Sequence, residues 1–410
     1  MTQAVQAKFD NLLGSKEFLD DPYPTYQLLR SEEPVFWSEL WNCWIVTGYR
    51  DNVDIFKSPE RFSNAGRYDS LFETLPPDVS ADVEPLVSHY RDHGGIIHSD
   101  PPDHTRLRKL IHKVFTPATI REMTVQVELI VQQLLDVVQA SGRMEVIHDF
   151  AYPLPATVVA RMLGVPVEDI SDFKTWSSDA LVFQAVGHAP HDDVRLSNKA
   201  LVAMKDYLVK LARQRRAEPK DDLMTALVQA EDAGDKLSEN EMLSTCVTLM
   251  VAGHETTTNL IGNALFLLLD QPEKLEQLRS DRTLMASAVE EFLRYESPIQ
   301  RNRRVIREDV EFRGKRMRKG QPLFQMLGAA NRDPEYFTEP DVLDLVRNPN
   351  KHIAFGLGIH FCLGAPLARL EAPIALNAVL DRMPNLRLQT REAKWTPGVF
   401  RSLKSLPVTF

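Results

Sequence analysis

Cysteine is scarce in this chain: Cys43, Cys246 and Cys362 are the three in 410 residues. No two stand in C-x-x-C spacing, which argues against both a disulfide scaffold and a zinc site. A basic excess is lacking too, since 48 Lys and Arg face 57 Asp and Glu for a net charge of −9. Nucleic-acid binding needs a face that neutralises phosphates, so no nucleic-acid partner is expected. Long apolar runs are missing as well. The opening Met1 to Lys8 has no hydrophobic stretch, and no segment approaches the roughly 20 apolar residues of a membrane span. The expectation is a cytoplasmic protein with no membrane partner. Apolar residues still make up 43% of the chain, enough for a sizeable core.

The pattern along the chain is helix-rich, with strands near both ends and no internal repeat. Residues 35 to 47 are aromatic and β-branched and predict a hairpin, whose Trp37, Trp41 and Trp44 read as packing. Residues 63 to 101, with Pro76, Pro77, Pro85, Gly94, Gly95 and Pro101, predict an extended loop holding one short helix. From about 103 to 295 the periodicity is helical, with breaks at Pro153, Pro155, Pro166, Pro190 and Pro219. His188 to Asp193 tempts a metal assignment but reads as a solvated turn. After residue 303, short strands and turns alternate.

The most informative stretch is Phe355-Gly356-Leu357-Gly358-Ile359-His360-Phe361-Cys362-Leu363-Gly364. Glycines at 356, 358 and 364 tolerate positive φ, so the backbone can wrap one sulfur closely and aim amide N–H groups at it. A thiolate held this way is a soft, strongly donating ligand suited to haem iron. These residues resemble the haem-binding loop of the cytochrome P-450 family, Phe-Gly-x-Gly-x-His-x-Cys-x-Gly. The resemblance implies Cys362 as axial iron ligand, His360 beside a haem propionate, and Phe355 and Gly364 against the cofactor.

A second signal lies in a long helix opened by a capping box of Ser238 and Glu241 and ending before Pro272. About 32 residues at ~1.5 Å each span ~48 Å, enough to cross a domain. Its middle reads Ala252-Gly253-His254-Glu255-Thr256-Thr257-Thr258. Glycine loosens the backbone there and threonine hydroxyls compete for carbonyls, which predicts a local bulge. By itself Thr256 reads as a hydroxyl bonded to the carbonyl of Ala252. The segment is similar to the family's small-Gly-x-acid-Thr motif on the helix crossing the distal haem face. That similarity implies Glu255 and Thr256 as the acid and alcohol relaying protons to bound dioxygen, with Ala252 against the haem. His254 projects about 100° from Glu255 around the helix and reads as packing.

Glu291-Phe292-Leu293-Arg294 places an acid and an arginine on one helix face. With Asn331-Arg332-Asp333-Pro334 and the stretch from Pro340 to Arg347 following, it looks like the family's structural Glu-x-x-Arg triad, with Arg347 as third member. Leu343 stands where the family usually has Phe. Asp100 to Arg108 opens another helix, with Asp103 as the expected cap and His104 and Arg108 on one face. The resemblance implies that His104 and Arg108 hold one propionate, and Arg304 with His360 the other. Arg106, Arg108 and Lys109 read otherwise as a solvated basic face.

The motifs run in family order from about residue 98 to 371. They imply a cytochrome P-450 fold, mainly α with a small β region, in a single domain covering 1–410, with a long distal helix crossing the haem and the cysteine loop on the proximal side. The implied activity is that of a haem b monooxygenase inserting one oxygen atom from dioxygen into a small, largely apolar substrate. A peroxide-driven hydroxylase and a thiolate-haem sensor are the alternatives. Thr248, Val251, Ala252, Ile299 and Gln300 are the expected substrate contacts, and Arg67, Arg91 and Arg301 are cations for a carboxylate on it. Nothing resembles a flavin or iron-sulfur module, so a separate ferredoxin-type donor with its reductase is expected, docking near Arg106, Lys109 and Lys113.

Overall fold

The computed structural model describes residues 3–92, 95–184, 190–232, 237–396 and 398–410. His188 and Ala189 of the candidate metal turn lie outside them, and the described residues hold no cluster of three metal-ligating side chains. No described helix is long and apolar enough to cross a membrane. The chain forms two compact units, one of Met1–Ser63, Val131–Ala151 and Thr256–Phe410, the other of Asn64–Ile130 and Tyr152–Glu255.

The first unit contains every described strand. Val35–Ser38 and Cys43–Val46 pair antiparallel, Val35 opposite Val46 and Ser38 opposite Cys43, with Asn42 at φ 47° in the turn. The alternation of β-branched and aromatic side chains favours this pairing. Cys43–Val46 lies parallel to Pro322–Met326, which pairs antiparallel with Arg301–Ile306, and Phe62–Ser63 forms the far edge of the five strands. Val35, Val46, Ile55, Phe62, Ile306 and Leu323 fill the core against this sheet. The hairpin tryptophans pack: Trp37 meets Trp44 edge-on at 5.7 Å, and Trp41 meets Phe324 at 5.9 Å. On one side of the cysteine loop, helix Met285–Tyr295 packs on helix Ala365–Arg382.

One strand of this unit was hidden in the sequence. Arg143–Glu145 pairs with Pro407–Thr409 inside a stretch predicted to be helical throughout. Gly142 at φ 63° lies in the turn between the preceding helix, which ends at Gln139, and the strand, and the partner strand lies at the far end of the chain, so no local pattern signals the pairing.

The second unit is helical. Residues 63 to 101 hold more structure than the single short helix expected: Asp69–Phe72, Pro77–Asp82, Glu84–Asp92 and a 3₁₀ turn at Ile96–His98. Pro77 opens its helix instead of breaking it, because a first-turn proline loses no hydrogen bond. Tyr68, Phe72, Tyr90 and Phe183 then bury one aromatic cluster. Pro153 likewise opens a helix, and Pro190 caps His191–Ala217.

The Glu239–Asp270 helix runs through both units over 32 residues. Its capping box forms: Glu241 N–H donates to Ser238 Oγ at 3.2 Å, and Ser238 N–H to Glu241 Oε2 at 2.8 Å. The expected bulge is not observed, and the segment is α-helical without interruption. Packing outweighs propensity here. A Cβ at Gly253 would come within 2.9 Å of Val159 Cγ2, so the glycine serves the close approach of the Pro153–Met162 helix.

Candidate active site

Two left-handed glycines shape the cysteine loop. Gly356 sits at φ 67° and Gly358 at φ 70°, where a side chain at 358 would also collide with the Phe56 carbonyl at 2.7 Å. Cys362 N–H donates to the Phe355 carbonyl at 2.9 Å and closes the loop. Gly364 differs from the sequence expectation: its φ is −81°, and what matters there is proximity, a Cβ lying 3.9 Å from Cys362 Sγ. Gly364 also caps the 18-residue Ala365–Arg382 helix, whose N-terminal dipole favours a thiolate two residues upstream. Cys362 is partly exposed, whereas Cys43 and Cys246 are buried and burial pushes their thiols up to about 12. Of the three, Cys362 is the one fitted to be a ligand.

Arg304 is buried, donates Nε to Gln325 Oε1 at 3.2 Å, and lies 5.4 Å over the Phe56 ring. The same ring borders Gly356 at 3.4 Å from its Cβ position, so Arg304 and the cysteine loop share one wall. His360 is half-buried in the short 3₁₀ turn Gly358–His360.

Behind the loop, Arg294 makes a fork to Glu291 at 2.8 and 2.7 Å, with both side chains fully buried. Its remaining donors go to the carbonyls of Asn331, Pro340 and Val342. Arg347 Nε lies 3.2 Å from each Glu291 oxygen. Asn350 Nδ2 and Asp344 N–H also donate to Glu291, at 3.1 and 2.9 Å. Asn331 Oδ1 in turn receives Ile353 N–H at 2.8 Å, which ties this network to the start of the cysteine segment. Buried Leu343 occupies the family's phenylalanine position.

In the helical unit, His104 is buried and Arg108 half-exposed on helix Asp103–Val114, where Arg108 Nε donates to His112 Nε2 at 3.2 Å. Burial, then the Arg108 charge, holds His112 below its ordinary range. Asp103 is not the cap: Pro102 takes that position, and no side chain caps the helix. The backbone enters through consecutive prolines, so the acid falls one residue inside. Arg106 pairs with Glu241, and Lys109 and Lys113 are exposed.

Along the long helix, Thr248, Val251, Glu255 and Thr256 are half-buried and Ala252 is exposed, while Met250 and His254 are buried. His254 stacks edge-on against Tyr152 at 5.2 Å, which agrees with packing. Its chemistry goes further. Nδ1 lies 3.2 Å from the Met250 carbonyl, which only accepts, so Nδ1 carries a proton. Nε2 then lies 3.3 Å from Glu255 Oε2, an acid–base contact that falls short of a hydrogen bond. A helical 100° separation hid this contact from the sequence, because the two side chains converge beyond their Cβ atoms.

Of the expected substrate contacts, Ile299 is half-buried and bridges Phe400 in antiparallel fashion. Gln300 turns inward instead: it accepts from Tyr26 Oη at 3.1 Å and donates to the Ser297 carbonyl at 2.8 Å, which removes it from the substrate set. Arg301 is corrected for the same reason. It is buried against Trp41 and Phe324 and donates to the Gly398 carbonyl at 2.6 Å, and burial lowers its pKa to about 10. Arg91 pairs with Asp69 at 3.7 Å. Arg67 lies 5.1 Å over the Tyr68 ring, and its buried Nε has no hydrogen-bond partner among the described residues.

A glycine-shaped cradle around one accessible thiol at a helix N-terminus is the donor set of a thiolate-ligated haem protein, and the residues fit that group. The cytochrome P450 family model matches residues 49–393. Among curated relatives, the polyketide biosynthesis cytochrome P450 PksS of Bacillus subtilis is 40% identical over 96% of this chain and 97% of its own. The biotin biosynthesis cytochrome P450 of the same organism is 42% identical over 97% and 98%. A solved structure of P450BioI, in complex with hexadec-9Z-enoic acid ligated acyl carrier protein, is 41% identical. It covers 97% of this chain and 100% of its own, with a TM-score of 0.89. The chain belongs to the cytochrome P450 family. It is an oxidoreductase of the monooxygenase class that uses haem iron.

Proposed function

We propose that the protein inserts one atom of dioxygen into a small, largely apolar organic molecule, within a single domain of residues 1–410 and in a cytoplasmic setting. Its electrons come from a separate ferredoxin-type protein with its own reductase. The observation that supports this reading best is the acid–alcohol pair Glu255–Thr256, half-buried on the long helix of a chain that also holds the Cys362 cradle. Haem ligated by Cys362 supplies the activation of dioxygen when bound. By the family resemblance Phe355, Gly364 and Ala252 would border it, while His104, Arg108, Arg304 and His360 would neutralise its propionates. Thr256 Oγ1 would hand on a proton and Glu255 would replace it, with His254 Nε2 placed 3.3 Å from Glu255 Oε2 behind them.

Thr248, Val251, Ala252 and Ile299 offer methyl groups to the substrate. A carboxylate on that substrate is recognised by Arg67, whose Nε is buried without a partner among the described residues. The acyl chain carried by the solved P450BioI complex supports an acyl substrate. The electron donor docks on Lys109 and Lys113, with Arg106, whose charge Glu241 offsets, beside them.

Turnover with a ferredoxin, its reductase and labelled dioxygen tests the activity: label in the product supports it. Product formed only with added hydrogen peroxide points to a peroxide-driven hydroxylase, and none under either condition to a sensor. For the substrate, a fatty acid is compared with its methyl ester by the low-spin to high-spin Soret shift. Equal affinities, or an unchanged acid affinity in Arg67→Ala, leave a neutral substrate.

A further inference from the structure

Three side chains that no motif singled out meet beside the cysteine loop. Glu290, the neighbour of Glu291, accepts two bonds of 2.7 Å from the Arg369 guanidinium and one of 3.0 Å from His352 Nε2. His352 Nδ1 accepts Ala354 N–H at 3.2 Å, so the ring proton stays on Nε2 and points at Glu290. Arg369 lies 4.6 Å over the Phe355 ring. Phe355 is the residue whose carbonyl receives Cys362 N–H. Burial works to raise the Glu290 carboxyl, but the bonds from Arg369 and His352 outweigh it and hold the group down at about 2. The Glu290 hydrogen bond raises the Arg369 pKa, and the charge of Cys362 adds to that. Arg369 therefore sits within electrostatic reach of the thiolate while its own charge is matched by Glu290.

We propose that Glu290 and Arg369 are positioning residues forming a balanced charge pair, in which each cancels the other's effect on the reduction potential of the thiolate-ligated haem. Reduction adds one negative charge to the iron–thiolate unit, and a cation close by stabilises it. Glu290 cancels most of that help. Because the Arg369 side chain is 40% exposed and Glu290 28%, solvent screens the pair and the effect is modest. The proposal rests on Cys362 as the axial ligand, which the red-shifted Soret band of the reduced CO complex verifies separately in each variant.

The experiment is a spectroelectrochemical titration of the haem-loaded protein. Glu290→Gln keeps an acceptor for His352 and uncovers the Arg369 charge, so the reduction equilibrium constant rises about threefold, ~28 mV for a one-electron couple at 59 mV per tenfold. Arg369→Gln uncovers Glu290 and lowers the constant by a similar factor. The double variant returns to the wild-type value. Arg369→Lys keeps the charge without the planar fork and stays near wild type, and with Glu290→Gln it carries the test should Arg369→Gln not retain haem. Shifts of the same sign in both single variants, no shift in Glu290→Gln, or a shift in Arg369→Lys as large as in Arg369→Gln would indicate loop packing alone and overturn the proposal.

Discussion

Replacing Glu371 by glutamine stabilises this protein by an amount that grows with pH. Glu371 lies on the Ala365–Arg382 helix at 0% exposure, and neither carboxyl oxygen has a hydrogen-bond partner among the described residues. Burial raises its pKa from 4.5 to about 8. The folded state therefore binds more protons than the unfolded state between those values, and stability falls as pH climbs through that window. At about 1.4 kcal/mol per pH unit, the loss between pH 5 and pH 7 is roughly 2 to 3 kcal/mol, with an upper limit of about 5 above pH 8. Total stabilities of about 5 to 15 kcal/mol make this a large fraction. Glutamine has the same shape and never ionises. Urea midpoints of wild type and Glu371→Gln, read by tryptophan fluorescence at pH 5, 6, 7 and 8, should nearly coincide at the acid end and separate steadily above it. A constant gap across that range, or one that narrows with pH, would refute the assignment of a neutral buried acid.

Cys362→His abolishes the red-shifted CO band, whereas Cys43→Ala and Cys246→Ala, which avoid burying a hydroxyl, leave it intact; loss of the band in either control counts against Cys362 as ligand. Thr256→Ala retains substrate-induced spin shifts but diverts reducing equivalents to hydrogen peroxide, and full coupling of electron use to product excludes the relay. Arg294→Met removes five donors from a dry site and leaves Glu291 with Arg347 alone as its charged partner, so the protein loses about 3 to 5 kcal/mol or fails to retain haem. Denaturation indistinguishable from wild type would contradict it. Lys109→Glu with Lys113→Glu slows reduction by an acidic ferredoxin and flattens its salt dependence. An unchanged rate moves the docking surface elsewhere.

What the sequence determined by itself was local. Residue type announced left-handed backbone at Gly356 and Gly358, the capping box at Ser238 and Glu241, and the hairpin over residues 35 to 47, because each depends on neighbours within a few positions. Spacing likewise put Glu291 and Arg294 on one helix face. Only the tertiary structure decided which surfaces meet. Periodicity names a buried face but not its partner, so the strand Arg143–Glu145 on Pro407–Thr409, the inward turn of Gln300 and Arg301, and the Glu290–Arg369–His352 cluster were not legible. The same limit applies to the helix centre at 252–258, where propensity favoured a bulge and packing of Gly253 against Val159 kept the helix regular. Burial free energy comes from contacts between residues far apart in the chain, and it overrides local preferences of a fraction of a kcal/mol wherever the two disagree.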